Sequence, residues 1–156
     1  MSHLSRREFL GTSAMATGAL AAGLYAGGAR AAESEREPVR VAVMGVNGRG
    51  RGLIKGFLEF PEVEFAYLCD PDANVIPGAV KQITDKGRPE PKVVPDFRTA
   101  LEDPKVDVLI CAAPDHWHAL ATIWACQAGK DVYTEKPCSH NIIEGRRMIE
   151  AARHYK

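Results

Sequence analysis

The regular alternation of short apolar runs with amphipathic stretches constrains this chain more than any other feature of its sequence. Val39-Arg40-Val41-Ala42-Val43-Met44 is a β-branched run closed by glycine, the pattern of a buried strand that ends in a turn. Residues 49–60 follow with Leu53, Ile54, Phe57 and Leu58 at helical spacing, and Pro61 stops them. A second strand over 63–69 ends at Asp70-Pro71. A helix over 78–86 carries Ala79, Val80 and Ile83 on one face, bounded by Pro77 and by Gly87-Arg88-Pro89. A third strand lies near Val93-Val94, with a small helix over 98–102 after it. Residues 106–112 are nearly continuous in apolar side chains, as a strand covered on both faces must be. Residues 116–128 form the next helix with Gly129 as its C-cap, and 131–134 the fifth strand. Asn141 with Glu144 three residues on reads as an Asn version of the capping box, opening a last helix through Met148, Ile149 and Ala152.

Repeated βα units of this length force parallel strands joined by right-handed crossovers. The expected fold is therefore α/β, an open, doubly wound parallel sheet of order 3-2-1-4-5 with helices on both faces. Its ligand crevice lies at the carboxyl ends of the strands, where the strand order reverses beside strand one.

Charge bears on the partners. The 20 Lys and Arg cancel the 20 Asp and Glu, which leaves no basic excess to neutralise a phosphate backbone, so nucleic acid is not an expected partner. The balance conceals a split, because residues 1–31 hold Arg6, Arg7 and Arg30 against Glu8 alone. Ser5-Arg6-Arg7-Glu8-Phe9-Leu10 precedes an uncharged stretch, residues 11–29, and then Ala29-Arg30-Ala31, an A-x-A cleavage pattern. This segment resembles a twin-arginine export signal, cut after Ala31, and implies the twin-arginine machinery as a partner and a periplasmic or otherwise exported location. The uncharged stretch is too rich in Gly, Ala and Thr for a stable membrane span. Residues 32–38 read as a charged linker, and 39–156 as the domain. Cys69, Cys111, Cys126 and Cys138 include no C-x-x-C pair and read as buried free thiols.

The chemistry-bearing residues fall at strand ends. Gly45-Val46-Asn47-Gly48-Arg49-Gly50 follows strand one and opens the first helix, where a G-x-G-x-x-G loop brings a pyrophosphate against backbone amides at a helix N-terminus. The middle glycine is Asn47 here; Asn tolerates unusual backbone angles, and Gly48 beside it restores freedom. Asp70 ends strand two, close to the offset of about 20 residues at which a carboxylate bonds the adenosine ribose hydroxyls. A 2′-phosphate there would meet Asp70 and Asp72 with no basic neighbour in sequence, so NAD is expected over NADP. Strand four ends in Ala113-Pro114-Asp115-His116-Trp117-His118, and strand five in Thr134-Glu135-Lys136-Pro137. His116 and His118 are an H-x-H pair, but ligands two apart at a helix start diverge and no third ligand is evident, so no metal site is expected.

In this order, from about Arg40 to Lys156, the series resembles the glucose-fructose oxidoreductase/inositol dehydrogenase (Gfo/Idh/MocA) family, whose cofactor domain is a Rossmann fold. Asp96-Phe97-Arg98, Ala128-Gly129-Lys130 and Glu144-Gly145-Arg146-Arg147 extend the likeness. The resemblance implies that Lys136 lies beside the nicotinamide and bonds the reacting hydroxyl, and that Pro137 fixes the turn through a cis bond. It implies that Glu135 orients the lysine or contacts the cofactor, and that Pro114 and His118 line the cofactor crevice, with Gly45, Asn47, Gly48, Arg49, Gly50 and Asp70 completing the cofactor site. Family members continue into a second α/β domain that binds substrate, so the sequence is expected to be an incomplete, N-terminal part of such an enzyme. The expected activity is NAD-dependent oxidation of a sugar or polyol. The alternatives are NAD-assisted cleavage of a glycosidic bond, as in some exported relatives, and an inert nucleotide-binding fragment. No residue in 39–156 stands out in sequence as a general base.

Overall fold

A computed structural model describes residues 37–155 of the chain. The expected export signal (residues 1–31) and most of the expected linker (32–38) lie outside the described residues.

Five parallel strands, β1 (Val39–Met44), β2 (Val63–Cys69), β3 (Lys92–Val94), β4 (Val108–Cys111) and β5 (Asp131–Thr134), form one sheet of order β3-β2-β1-β4-β5. The expected topology is present. Helices α1 (Arg49–Phe57), α2 (Ile76–Thr84), α3 (Arg98–Leu101), α4 (His118–Gln127) and α5 (Ile142–His154) make the crossovers, with a short 3-10 turn, Asp115–Trp117, ahead of α4.

Two apolar layers flank the sheet, and the period of two along each strand decides which residue joins which layer. Val41 and Val43 of β1 pack with Leu53, Ile54, Ala79 and Ile83 of α1 and α2, whereas Ala42 and Met44 face Ala100, Leu101, Ala121 and Ala125 of α3 and α4. In β2 the alternation slips, since Ala66 and Tyr67 both join the α3 and α4 layer. The register explains it. Val41 pairs with Phe65 but Ala42 with Tyr67, so Ala66 is an extra residue that turns the rest of β2 over by one position.

Several boundaries move from those expected. The second helix starts at Ile76, two residues earlier, because Pro77 does not interrupt it but occupies its first turn, where a missing amide costs nothing. The first helix ends at Phe57 rather than at the proline, and the buried fourth strand contracts to Val108–Cys111. The capping box differs in one partner: Asn141 Oδ1 accepts from the Glu144 amide at 3.0 Å, while Glu144 Oε2 accepts from the amide of His140, one residue outside the cap. Cys69 and Cys111 are buried free thiols, Cys126 is half-buried, and Cys138, expected to be buried, is exposed because it sits in the loop after β5.

Candidate functional site

The loop between β1 and α1 is shaped by two of its glycines for different reasons. A Cβ on Gly50 would lie 1.9 Å from the Gly45 carbonyl oxygen, so only glycine lets α1 start this close to the end of β1. Gly48 has φ 45° and ψ −107°, a conformation that favours glycine, and a Cβ there meets nothing within 4 Å. One position therefore serves the fold and the other leaves room in front of the helix N-terminus. Asn47, which could tolerate unusual backbone angles, does not take them: no non-glycine residue among those described has positive φ, and Gly48 carries that freedom. Asn47 closes the turn ahead of the helix, with Oδ1 accepting from the Gly48 amide at 2.8 Å and its carbonyl from the Gly50 amide at 2.8 Å, while Gly48 is the N-cap residue.

Asp70 joins this loop to the end of β2. One carboxylate oxygen accepts from the Val46 amide at 3.0 Å and the other from the Asp72 amide at 3.0 Å, so the residue closes its own turn and fixes the glycine loop at once. A carboxylate has capacity for further donors beyond these two. Asp70 also lines a cavity of about 630 Å³ at the carboxyl ends of β1, β2 and β4, together with Gly45, Asn47, Pro71, Ala113 and Pro114.

Its far wall is aromatic. Phe97 stacks on Trp124 at 5.8 Å between centroids and meets Trp117 edge-on at 6.5 Å, and Arg98 lies over the Trp124 ring at 5.5 Å. The wall is assembled from segments up to 27 residues apart. Arg98 also brings to the cavity the basic group that was not expected beside Asp70, but it is ion-paired with Asp96, whose carboxyl it holds below the usual carboxylate range. Cys69 also lines the cavity, and burial pushes its thiol up to about 12, which disfavours the thiolate.

The second half of the site is the loop after β5. The Lys136–Pro137 peptide is cis and the Lys136 side chain is exposed. Glu135 is buried and pairs with Arg49 at 2.8 Å, across from the first turn of α1. The Arg49 hydrogen bond holds the Glu135 carboxyl below its ordinary range, so the ion pair is formed at neutral pH. The expected partners of Glu135 were the lysine or a cofactor; the contact it makes here is with the glycine-loop helix. His118 is not among the side chains that line the cavity. It is 2% exposed, with Nδ1 2.6 Å from the Pro137 carbonyl and Nε2 2.8 Å from the Ala113 carbonyl, and so ties the loop carrying Lys136 to the loop after β4. The reason is its place in the first turn of α4, which turns the ring inward between the two loops.

Thus Gly45, Asn47, Asp70 and Pro114 share the cavity, and Gly48, Arg49, Gly50, His118, Glu135 and Lys136 lie outside its wall, linked to it through these bonds. Among the described residues no group of three or more His, Cys, Asp or Glu side chains is disposed to hold a metal ion, and no helix is long and apolar enough to cross a membrane.

A family model described as GFO_IDH_MocA, an oxidoreductase family with an NAD-binding Rossmann fold, matches residues 39–156. A glycosyl hydrolase family 109 protein of Saccharopolyspora erythraea is 34% identical, over 95% of this chain and 36% of its own length. The solved structure of the WlbA dehydrogenase from Chromobacterium violaceum, in complex with NADH and UDP-GlcNAcA, superposes with a TM-score of 0.64 at 24% identity, over 76% of this chain and 33% of that one. KijD10, a 3-ketoreductase from Actinomadura kijaniata in complex with NADP and TDP-benzene, gives 0.63 at 24%, over 76% and 35%. At such identities these structures speak to the fold alone. The chain spans about a third of the length of the proteins it matches.

Proposed function

Since the chain belongs, over residues 39–156, to the Gfo/Idh/MocA oxidoreductase family with its NAD-binding Rossmann fold, we propose that it is the cofactor-binding part of an exported NAD-dependent oxidoreductase acting on a sugar or polyol. The observation that carries this reading is the cavity lined by Gly45 and Asn47 of the glycine loop, by Asp70 and by aromatic rings. The residues present fit a dinucleotide. Asn47, Gly48 and Arg49 at the N-terminus of α1 would hold the pyrophosphate, Asp70 the ribose hydroxyls, and Phe97 with Trp117 the adenine face. When bound, the nicotinamide supplies hydride acceptance from a carbinol carbon.

The protein's own contribution is positional and electrostatic. Lys136 places an ammonium where negative charge develops on the substrate oxygen, and so favours the transition state over the bound alcohol. The Arg49–Glu135 pair links the Lys136 loop to the first turn of α1, and the His118 contacts link it to the loop after β4. The substrate aligned on one loop therefore meets the cofactor aligned on the other.

A second reading is redox-assisted cleavage of a glycoside, favoured by the name of the Saccharopolyspora relative. The two separate in one assay of the whole protein with a panel of aldoses, polyols and p-nitrophenyl glycosides: dehydrogenation gives net NADH, while hydrolysis releases the aglycone with no net NADH. Neither signal from a protein that binds NAD overturns both readings.

The leader supports export through the twin-arginine route, which carries folded proteins and so lets a cofactor cross with its enzyme. Replacing Arg6 and Arg7 by Lys is expected to leave the uncleaved precursor in the cytoplasm, read by fractionation and immunoblotting. Unchanged secretion of the Lys-Lys form would refute this route.

A further inference from the structure

We propose that Asp96 is a second determinant of cofactor choice, which disfavours a 2′-phosphate by keeping Arg98 in an ion pair; the proposal deepens the NAD-dependent reading above and rests on it. Pro95, Asp96, Phe97 and Arg98 follow β3 directly and line the same cavity as Asp70. β2 pairs with β3, Cys69 against Val94, and the Asp70 amide donates to the Val94 carbonyl at 3.2 Å. The segment bearing Asp96 and Arg98 therefore emerges beside Asp70. The Cys69 thiol senses both carboxylates: after burial, the charges of Asp96 and then of Asp70 raise it.

Among the described residues Arg98 is the one basic side chain that lines this cavity, against two carboxylates, Asp70 and Asp96. It is already engaged. Arg98 Nε donates to Asp96 Oδ1 at 3.0 Å and to Oδ2 at 2.8 Å, and Nη2 donates to Oδ2 as well. The Arg98 amide donates to Asp96 Oδ1 at 3.0 Å, which holds the carboxylate in place, and the guanidinium lies 5.5 Å from the centre of the Trp124 ring.

A guanidinium is the fork that binds a phosphate, and an arginine near the ribose is what accommodates a 2′-phosphate in sheets of this kind. The group that NADP needs is thus present but occupied. With side chains 61% and 39% exposed, the Arg98–Asp96 pair is weak as an ion pair, so its rupture alone excludes little. The larger effect is on what is left behind: an Arg98 drawn to a phosphate releases Asp96 as a second unpaired carboxylate beside Asp70, and both then repel the same phosphate. NAD lacks that phosphate and leaves the pair intact.

The test is calorimetric titration of the whole protein, and of Asp96→Asn, Arg98→Ala and the double variant, with NAD, NADP and adenosine 2′,5′-bisphosphate. Asn at 96 keeps the oxygen that accepts from the Arg98 amide and removes the charge. Asp96→Asn is expected to bind NADP and the bisphosphate about tenfold more tightly while NAD affinity stays within about twofold, and the gain is expected to vanish in the double variant. Arg98→Ala alone, which leaves Asp96 unpaired, is expected to weaken NADP binding further. An Asp96→Asn protein with the wild-type ratio of NAD to NADP affinity, a gain that survives in the double variant, or an Arg98→Ala protein that binds NADP as well as the wild type does overturns the proposal while leaving NAD binding intact. A wild-type protein that binds neither dinucleotide overturns the NAD-dependent reading, and this proposal with it.

Discussion

Lys136→Ala is expected to lower kcat about 10²–10³-fold while leaving NAD affinity nearly unchanged. A single donor preorganised toward a developing oxyanion is worth about 3–4 kcal/mol in the transition state and nothing comparable in the ground state. The side chain is exposed and outside the cavity wall, so its removal leaves no buried void and unpairs no buried group. A loss of stability in this variant would therefore contradict the account as surely as retained turnover would. The readout is NADH or aglycone formation at saturating substrate, beside a calorimetric titration of cofactor.

Gly50→Ala is expected to destabilise the domain by about 3 kcal/mol or more, although alanine is the better helix former by about 1 kcal/mol. The decisive magnitude is the 1.9 Å between a new Cβ and the Gly45 carbonyl oxygen, since both atoms belong to backbone and neither can swing away. Either α1 moves out or the Gly45 peptide rotates, and both disturb the amides at the helix N-terminus. The control is Gly56→Ala in the same helix, exposed and with nothing within 4 Å of the added methyl, which is expected to raise stability by up to about 1 kcal/mol. Chemical denaturation of the two variants decides it: equal midpoints would show that the β1–α1 approach is not tight.

The architecture was legible in the sequence because each strand and helix announces itself locally. The apolar runs at Val39–Met44 and Val63–Cys69, the glycines of the first turn and the Asn141 cap each act within a few residues. The order of the strands was expected from the βα alternation of a doubly wound sheet, and the observed sheet has that order. What sequence reasoning missed is pairwise and distant. Arg49 and Glu135 are 86 residues apart, and nothing in either segment says that the one neutralises the other. Asp115 and His140 likewise meet only because β4 and β5 are neighbours. His118 was read as a crevice residue from its motif, whereas the two carbonyls it faces become visible only once both loops are placed. At Asn47 the outcome is simpler: the adjacent Gly48, to which freedom was also assigned, is the residue that carries the unusual angles.

The central claim is that the cavity between the glycine loop and Asp70 is a site for NAD, and calorimetric titration of the purified protein with NAD and NADP tests it most directly. The account predicts saturable NAD binding, weaker NADP binding, and in Asp70→Ala a loss of about tenfold or more in NAD affinity with the gap to NADP narrowed, since a carboxylate that bonds ribose hydroxyls also repels a 2′-phosphate. Binding of neither dinucleotide, or an Asp70→Ala protein that still binds NAD as the wild type does and prefers it as strongly, would contradict it.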